Sequence, residues 1–270
     1  MYEINGDLKI SFFKASAWFF LNVFRNLKIS MCTQAFHFHA YYDFCEAQAD
    51  LSSPGRSLVN QFNHLELEKI LQKNVLGCLE IGCGSGSFYK TLKSKSKKAT
   101  YTGVDLSDRF LEKTSRNCRF IKSDILAFKP HKKFDFIYSN SVLEHCQHDA
   151  TILKKSYEWL KDGGTALHFL PAASGVFLYP KHGFRQYTIC SLKNKIQVQN
   201  ASIYLLGGFG SFLVHFIFIT IPEAIFGFPA RKHNVLLYSK VKQLGFRIDP
   251  IFPFFGPMVA VVLKKNGPRH

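Results

Sequence analysis

The residues with the clearest chemical potential are glycines and carboxylates that close short apolar runs. Leu79-Glu80-Ile81-Gly82-Cys83-Gly84-Ser85-Gly86 ends a strand-like stretch in three glycines. Glycine at such a point lets the backbone turn sharply and brings peptide N–H groups close to a ligand. Asp105 ends the next apolar run, 23 residues beyond Gly82. A carboxylate there can accept both hydroxyls of a ribose. Asp124 ends a third run and Ile125 follows it. That pair offers an acceptor for an amino group beside an apolar wall, which suits an adenine. Ser139-Asn140-Ser141 ends a fourth run and leads into Val142-Leu143-Glu144-His145. A dinucleotide-binding loop competes for the same glycines. It wants G-x-G-x-x-G/A, but here Ser87 stands in the third glycine place and Gly86 falls one position early.

These groups need elements to carry them. Apolar runs at 75–81, 100–105, 118–123, 134–139 and 165–170 read as strands. Between them, 87–92, 108–116 and 150–160 read as helices, the last closed by Asp162-Gly163-Gly164 as a C-cap and turn. Alternation at this spacing predicts a parallel sheet flanked by helices. Ser57 can cap a helix whose apolar positions run from Leu58 to Leu71. A further helix over 234–244 is closed by Gly245, and 246–252 and 258–264 can pair as a terminal antiparallel hairpin.

With these motifs in order, the sequence resembles the class I S-adenosylmethionine (SAM)-dependent methyltransferases. Within them it looks like the subgroup that includes quinone-biosynthesis and small-molecule methyltransferases. The matching segments are L-E-I-G-C-G-S-G, Y-T-G-V-D-L-S, F-I-K-S-D-I and F-D-F-I-Y-S-N-S-V-L-E-H, followed by W-L-K-D-G-G. The resemblance covers 57–172 and the closing helix and hairpin at 232–265. It implies an α/β fold, a doubly wound, Rossmann-like seven-stranded sheet in the order 3-2-1-4-5-7-6 with strand 7 antiparallel. It implies that Gly82, Gly84 and Gly86 shape the pocket for the methionine part of SAM, with Glu80 orienting that loop. Asp105 would hold the ribose, Asp124 and Ile125 the adenine, and the backbone at Ser139–Asn140 the methionine end. Cys83 and Leu106 complete the implied cofactor contacts.

Methyl transfer from a sulfonium is an in-line displacement in which the protein supplies alignment and excludes water. If the acceptor is a hydroxyl, a general base helps remove its proton. His145 is the first candidate and His148 the second, whereas His168 falls inside a strand and reads as packed in the sheet. The sequence argues against some acceptors. No [DN]-P-P-[YF] follows the fourth strand, and no cysteine sits in the Pro-Cys or Thr-Cys context of a pyrimidine-carbon nucleophile. DNA is therefore not an expected partner. RNA is disfavoured too, because the basic C-terminal third lacks a dense Lys/Arg stripe interleaved with aromatics.

Composition sets the remaining limits. The chain has 270 residues, 35 Lys+Arg against 19 Asp+Glu, a net charge of +16 and 28 Phe. Residues 173–270 hold 12 of the basic and 2 of the acidic residues. Such an excess points to an anionic partner, nucleic acid or a membrane surface. Seven cysteines without a C-x-x-C pair argue for a reducing compartment and against a structural metal site. Residues 10–28 read as an amphipathic helix and not a secretory signal, because acidic residues precede it and charges interrupt it. The 19 residues 203–221 carry no formal charge. By length they could span a bilayer. Because 232–265 must complete the sheet begun at 75–172, a greasy lid, an interfacial hairpin or a buried core element fits better.

The expected organisation is an N-terminal helical cap (1–56), a SAM-binding core (57–172), a hydrophobic acceptor lid (173–231) and a closing helix with hairpin (232–270). The expected activity is O- or C-methylation of a hydrophobic or lipid-linked small molecule by a cytoplasmic protein peripheral to an anionic membrane. Methylation of a soluble metabolite or sugar remains an alternative, as does a non-catalytic SAM-binding or RNA-binding protein.

Overall fold

The computed structural model describes residues 13, 16, 17, 20, 21, 51–71, 77–110, 114–179, 183, 185–198 and 200–267. Of the helix expected over 10–28, Phe13, Ser16, Ala17, Phe20 and Leu21 are helical and the rest lies outside the described residues. In chain order the elements are α1 (Pro54–Leu71), β1 (Gly77–Ile81), α2 (Ser87–Lys95), β2 (Thr100–Asp105), β3 (Cys118–Lys122), β4 (Phe134–Asn140), α3 (Asp149–Glu158) and β5 (Leu160–Pro171). Then come α4 (Gly175–Leu178), α5 (Ile189–Lys195), β6 (Ala201–Leu206), α6 (Phe209–His215), a π-helical continuation (Phe216–Ile225), α7 (Ala230–His233), α8 (Val235–Ile248) and β7 (Met258–Lys264).

The strands form one seven-stranded sheet in the order β3-β2-β1-β4-β5-β7-β6. The first five run parallel. β7 runs antiparallel to β5: Gly163 donates to the Lys265 carbonyl at 3.1 Å near one end and Ala172 to the Pro257 carbonyl at 3.1 Å near the other. β1 is buried throughout and β7 is buried except for Lys264, as strands covered on both faces must be. The expected order is therefore found.

The chain divides into two units. A sheet unit comprises 64–169, 193–202 and 261–270, and a second unit comprises 1–63, 170–192 and 203–260. In the second unit α8 packs on α6 through two glycines. A Cβ built on Gly210 would lie 2.1 Å from the Gly245 carbonyl oxygen, and one on Gly245 would lie 3.0 Å from that of Gly210. Gly245 is thus a point of close backbone approach and not the end of a helix. α8 continues to Ile248, with Asn234 at its N-cap accepting from the Leu237 N–H.

That extension corrects the terminal hairpin. Residues 246–248 are helical, and the sixth strand is Ala201–Leu206, which runs into the charge-free segment. The rest of that run forms α6 and its π-helical continuation, which contains Pro222. Among the described residues no helix is long and apolar enough to cross a membrane. Three smaller expectations also change. Asp108–Phe110 and Thr114–Arg116 are not helical, and Ser115 pairs with Cys118 as an isolated bridge. α1 starts at Pro54, with the Ser53 hydroxyl accepting from the Arg56 N–H at 3.3 Å, so the proline opens the helix. Asp162-Gly163-Gly164 lies inside β5, where the pairing jumps from Phe134↔Leu160 to Phe136↔Thr165, so it forms an irregularity in the strand.

The Gly210–Gly245 approach leaves no room for a methyl group. Gly210→Ala is expected to lower stability by about 1–3 kcal/mol, seen as a lower midpoint in urea denaturation.

Candidate functional site

The site grows from the carboxyl ends of β1, β2, β3 and β4. β1 ends at Ile81, and the chain then enters positive φ at Gly82 (68°), Gly84 (50°) and Gly86 (83°). Gly82 N–H and Cys83 N–H both donate to the Val104 carbonyl, at 2.8 and 3.2 Å. This clamps the loop to β2. A Cβ on Gly82 would come within 2.3 Å of Val142, so only glycine fits beneath the turn after β4. At Gly84 the opposite holds: a Cβ there would meet no atom within 4 Å. One position is crowded by protein and the next leaves its backbone open to a ligand.

Asp105, at the end of β2, braces this loop. Its Oδ2 accepts from Gly84 N–H at 2.8 Å, and its Oδ1 from Ser107 N–H at 2.8 Å and Ser107 Oγ at 2.9 Å. A carboxylate offers about four acceptor sites, so capacity remains for a ligand hydroxyl. Beside it, Leu106 is 63% exposed, the one large apolar side chain so exposed among the described residues of the sheet unit. Ser123 N–H donates to the Asp105 carbonyl at 2.8 Å, bringing the end of β3 alongside. Asp124 follows, exposed, its Oδ1 accepting from Leu126 N–H at 2.8 Å, and Ile125 is buried. Ser139 pairs with Ile81 across β4 and β1, so Asn140 falls at the same edge. Ser141 is held at φ 55°, its N–H donating to Phe169 at 3.0 Å. A serine in that region signals local strain of the kind found at ligand sites.

Glu80 lies under the loop, buried in β1, and accepts a short hydrogen bond from Tyr101 Oη. Burial pushes its carboxyl up to about 8, opposed by the Tyr101 hydrogen bond and aided by the nearby Asp105 charge. Burial, with help from Glu80 and Asp105, also pushes the Cys83 thiol up to about 12, so this cysteine stays a thiol. His145 closes a single 3₁₀ turn, Leu143–His145, and its N–H donates to the Val142 carbonyl at 3.0 Å. Its Nε2 is 3.9 Å from Oε1 of buried Glu144. His148 is exposed at the start of α3. His168 is buried in β5 between Ser139 Oγ (2.8 Å) and Ser156 Oγ (3.0 Å), and desolvation holds its imidazole down to about 3. It is a neutral core histidine.

The edge therefore brings together Glu80, Gly82, Cys83, Gly84, Gly86, Asp105, Leu106, Asp124, Ile125 and Asn140, with His145 one turn beyond Val142. Sequence reasoning missed Tyr101 and Ser107. Tyr101 occupies the same face of β2 as Gly103, whose missing side chain leaves room for Tyr101 Oη and Cys83 Sγ, each 2.8 Å from a Cβ built there. Ser107 two residues after Asp105 is an Asx-turn pattern and was readable.

Glu80 generates a pH prediction. Its carboxyl sits at about 8 when folded against an ordinary 4.5, so the folded chain keeps a proton that the unfolded chain has lost. Glu80 stabilises fully below the ordinary value, and that contribution disappears as pH rises to the folded value. Glu80→Gln is expected to flatten the fall in stability across this window. Urea midpoints measured at both ends check it.

Residues 79–166 match the family described as a methyltransferase domain. The chain is 30% identical over 108 residues to (S)-coclaurine N-methyltransferase of Papaver somniferum, covering 37% of this chain and 31% of that protein. It is 32% identical over 138 residues to malonyl-[acyl-carrier protein] O-methyltransferase of Priestia megaterium, covering 49% and 48%. The chain thus spans about a third to a half of the length of these relatives. Among solved structures, plantazolicin methyltransferase BpumL, in complex with a triazolic desmethylPZN analog and SAH, is similar in fold. It has a TM-score of 0.50 and 16% identity, covering 79% of this chain and 85% of that one. With the glycine loop, the strand-end carboxylates and the strand order in place, residues 79–166 are a class I SAM-dependent methyltransferase domain.

Proposed function

We propose that this protein transfers a methyl group from SAM to an oxygen or activated carbon of a hydrophobic or lipid-linked small molecule at a membrane surface. The observation that carries the chemistry is the contrast within one loop, Gly82 sealed by Val142 and Gly84 open, braced by Asp105. SAM, when bound, supplies a methyl group already activated on a sulfonium. The residues at the edge fit such a group. Gly82, Gly84 and Gly86 shape a loop open to its amino-acid end, and buried Glu80 orients that loop from below. Asp105 has acceptor capacity left for ribose hydroxyls. Leu106 and Ile125 offer apolar surface to an adenine, with Asp124 an acceptor for its amino group and Asn140 closing the methionine end. His145 Nε2 would take the proton of an acceptor hydroxyl.

The greasy acceptor and the membrane are supported by how apolar surface is divided. Outside the first fifty residues, twelve large hydrophobic side chains are exposed among the described residues, and all but Leu106 belong to the second unit. That unit also contains residues 173–192 and 203–231 of the insertion that we assign to the acceptor side.

Two measurements test the reading. Gly84→Ala introduces a methyl where the protein has space, at a cost of about 1–2 kcal/mol for the left-handed backbone. It is expected to fold and to bind S-adenosylhomocysteine at least about tenfold more weakly by calorimetry; unchanged affinity would remove the loop from the cofactor site. Labelled methyl transfer from SAM into lipid and aqueous extracts tests the acceptor. Label in the organic phase is expected, and label confined to the aqueous phase would replace the lipid reading with a soluble metabolite or sugar.

A further inference from the structure

α8 is arranged inside out. Its buried face carries Tyr238, Ser239, Lys242 and Gly245. Its solvent face carries Leu236, Leu237 and Leu244, at 69%, 50% and 55% exposure, with Lys240 and Arg247 between them. At 100° per residue these five positions fall within an arc of about 100°. Leu236, Lys240, Leu244 and Arg247 repeat at the i, i+4, i+8, i+11 spacing of one helix face. A face made for water would carry the hydroxyls and leave the leucines inside.

The same surface continues past the helix. Ile251-Phe252-Pro253-Phe254-Phe255 follows α8, and all four of its apolar side chains other than proline are exposed. Phe254 packs on Phe255 (centroids 5.5 Å) and on Phe209 of α6 (5.7 Å), and Phe255 on Phe212 (5.7 Å), so the rings form one patch. Phe255 sits at φ 61°, a costly conformation for a bulky side chain. The backbone bears that cost and the ring is still half exposed.

Charge identifies the occupant. Residues 173–270 contain two acids. Glu223 is held by Arg231 through two hydrogen bonds, at 2.8 and 3.1 Å. Asp249 is buried, accepting from Ser211 N–H and Oγ. Neither presents a negative charge to a partner, whereas Lys240 and Arg247 stand exposed among the leucines. Leucines and aromatics interleaved with cations, with both acids of residues 173–270 already engaged, match the boundary of an anionic bilayer.

We infer that the outer face of α8 and the Ile251–Phe255 turn form an interfacial wedge, with the apolar side chains entering an anionic lipid surface and Lys240 and Arg247 meeting its headgroups. This deepens the proposed function and rests on it for the lipid-soluble acceptor, but the binding test does not depend on turnover. The full chain is mixed with vesicles of phosphatidylcholine alone or of equal parts phosphatidylcholine and phosphatidylglycerol, then floated. Wild type is expected to float with the anionic vesicles, less so in high salt. Leu236→Gln/Leu244→Gln should lower the bound fraction about tenfold or more, and Lys240→Gln/Arg247→Gln should remove the preference for anionic lipid. Each variant is first titrated with S-adenosylhomocysteine, which must bind as in wild type. Phe254→Trp reports insertion directly through a blue shift of its emission on the anionic vesicles. Wild type remaining unbound, variants floating as wild type, or no blue shift would each overturn the wedge and leave the cofactor site standing. A wild-type dimer that the leucine variant converts to monomer in sedimentation, without vesicle binding, would assign the face to a second copy of the chain. Loss of S-adenosylhomocysteine binding by wild type with flotation intact would sink the methyltransferase reading and leave the wedge.

Discussion

Two N–H groups on one carbonyl hold the site together. Gly82 and Cys83 both donate to Val104, which fixes the loop after β1 to the end of β2. Once that clamp is set, Gly84 N–H points at Asp105, and Asp105 is fixed by Ser107 in turn. The turn after β4 then closes over Gly82 through Val142. The ends of β1, β2 and β3 are thereby tied by short-range polar contacts and that of β4 by an apolar one, and none of the polar contacts depends on a flexible side chain longer than an aspartate. Preorganisation of this kind suits a reaction whose donor is already activated and whose protein must mainly align and exclude water.

Much of the sheet was legible because its strands are short apolar runs buried on both faces, and such runs bounded by glycine and aspartate have few other readings. The carboxylates at their ends were legible for the same reason. The terminal hairpin was not. Phe246, Ile248 and Pro250 alternate with polar residues and look like a strand, yet Gly245 keeps α8 running because its bare backbone is needed against Gly210. The true sixth strand was hidden inside a charge-free run, where periodicity cannot separate an edge strand from a helix. Tyr101 was invisible as a site residue because its partner, Glu80, is 21 positions earlier and the two meet only through the pairing of β1 with β2.

The two units divide polarity unequally. In the sheet unit, buried His168 is satisfied by two serines. In the second unit, α8 turns Tyr238, Ser239 and Lys242 inward while Leu236, Leu237 and Leu244 face out. His215 there is also buried, beside Tyr179 Oη at 3.4 Å, and desolvation, helped by the Arg231 charge, holds it down to about 3. His215 therefore stays uncharged near physiological pH.

The discontinuity of the second unit bears on the order in which the chain can acquire structure. Arg231 donates to the Leu51 carbonyl, Tyr238 to that of Ser52, and Lys242 to Ser52 and to Ser57 Oγ, across separations of 180 to 190 residues. The start of α1 therefore waits for α8 before its anchors exist. On a ribosome adding about 5–20 residues per second, that interval is on the order of ten seconds or more. Within it the parallel strands from β1 to β5 are made in turn and become available to pair, while the phenylalanine-rich segments have no finished unit to join. Chaperone demand during synthesis should thus fall on the N-terminal and middle segments of this chain, well before its last helix emerges.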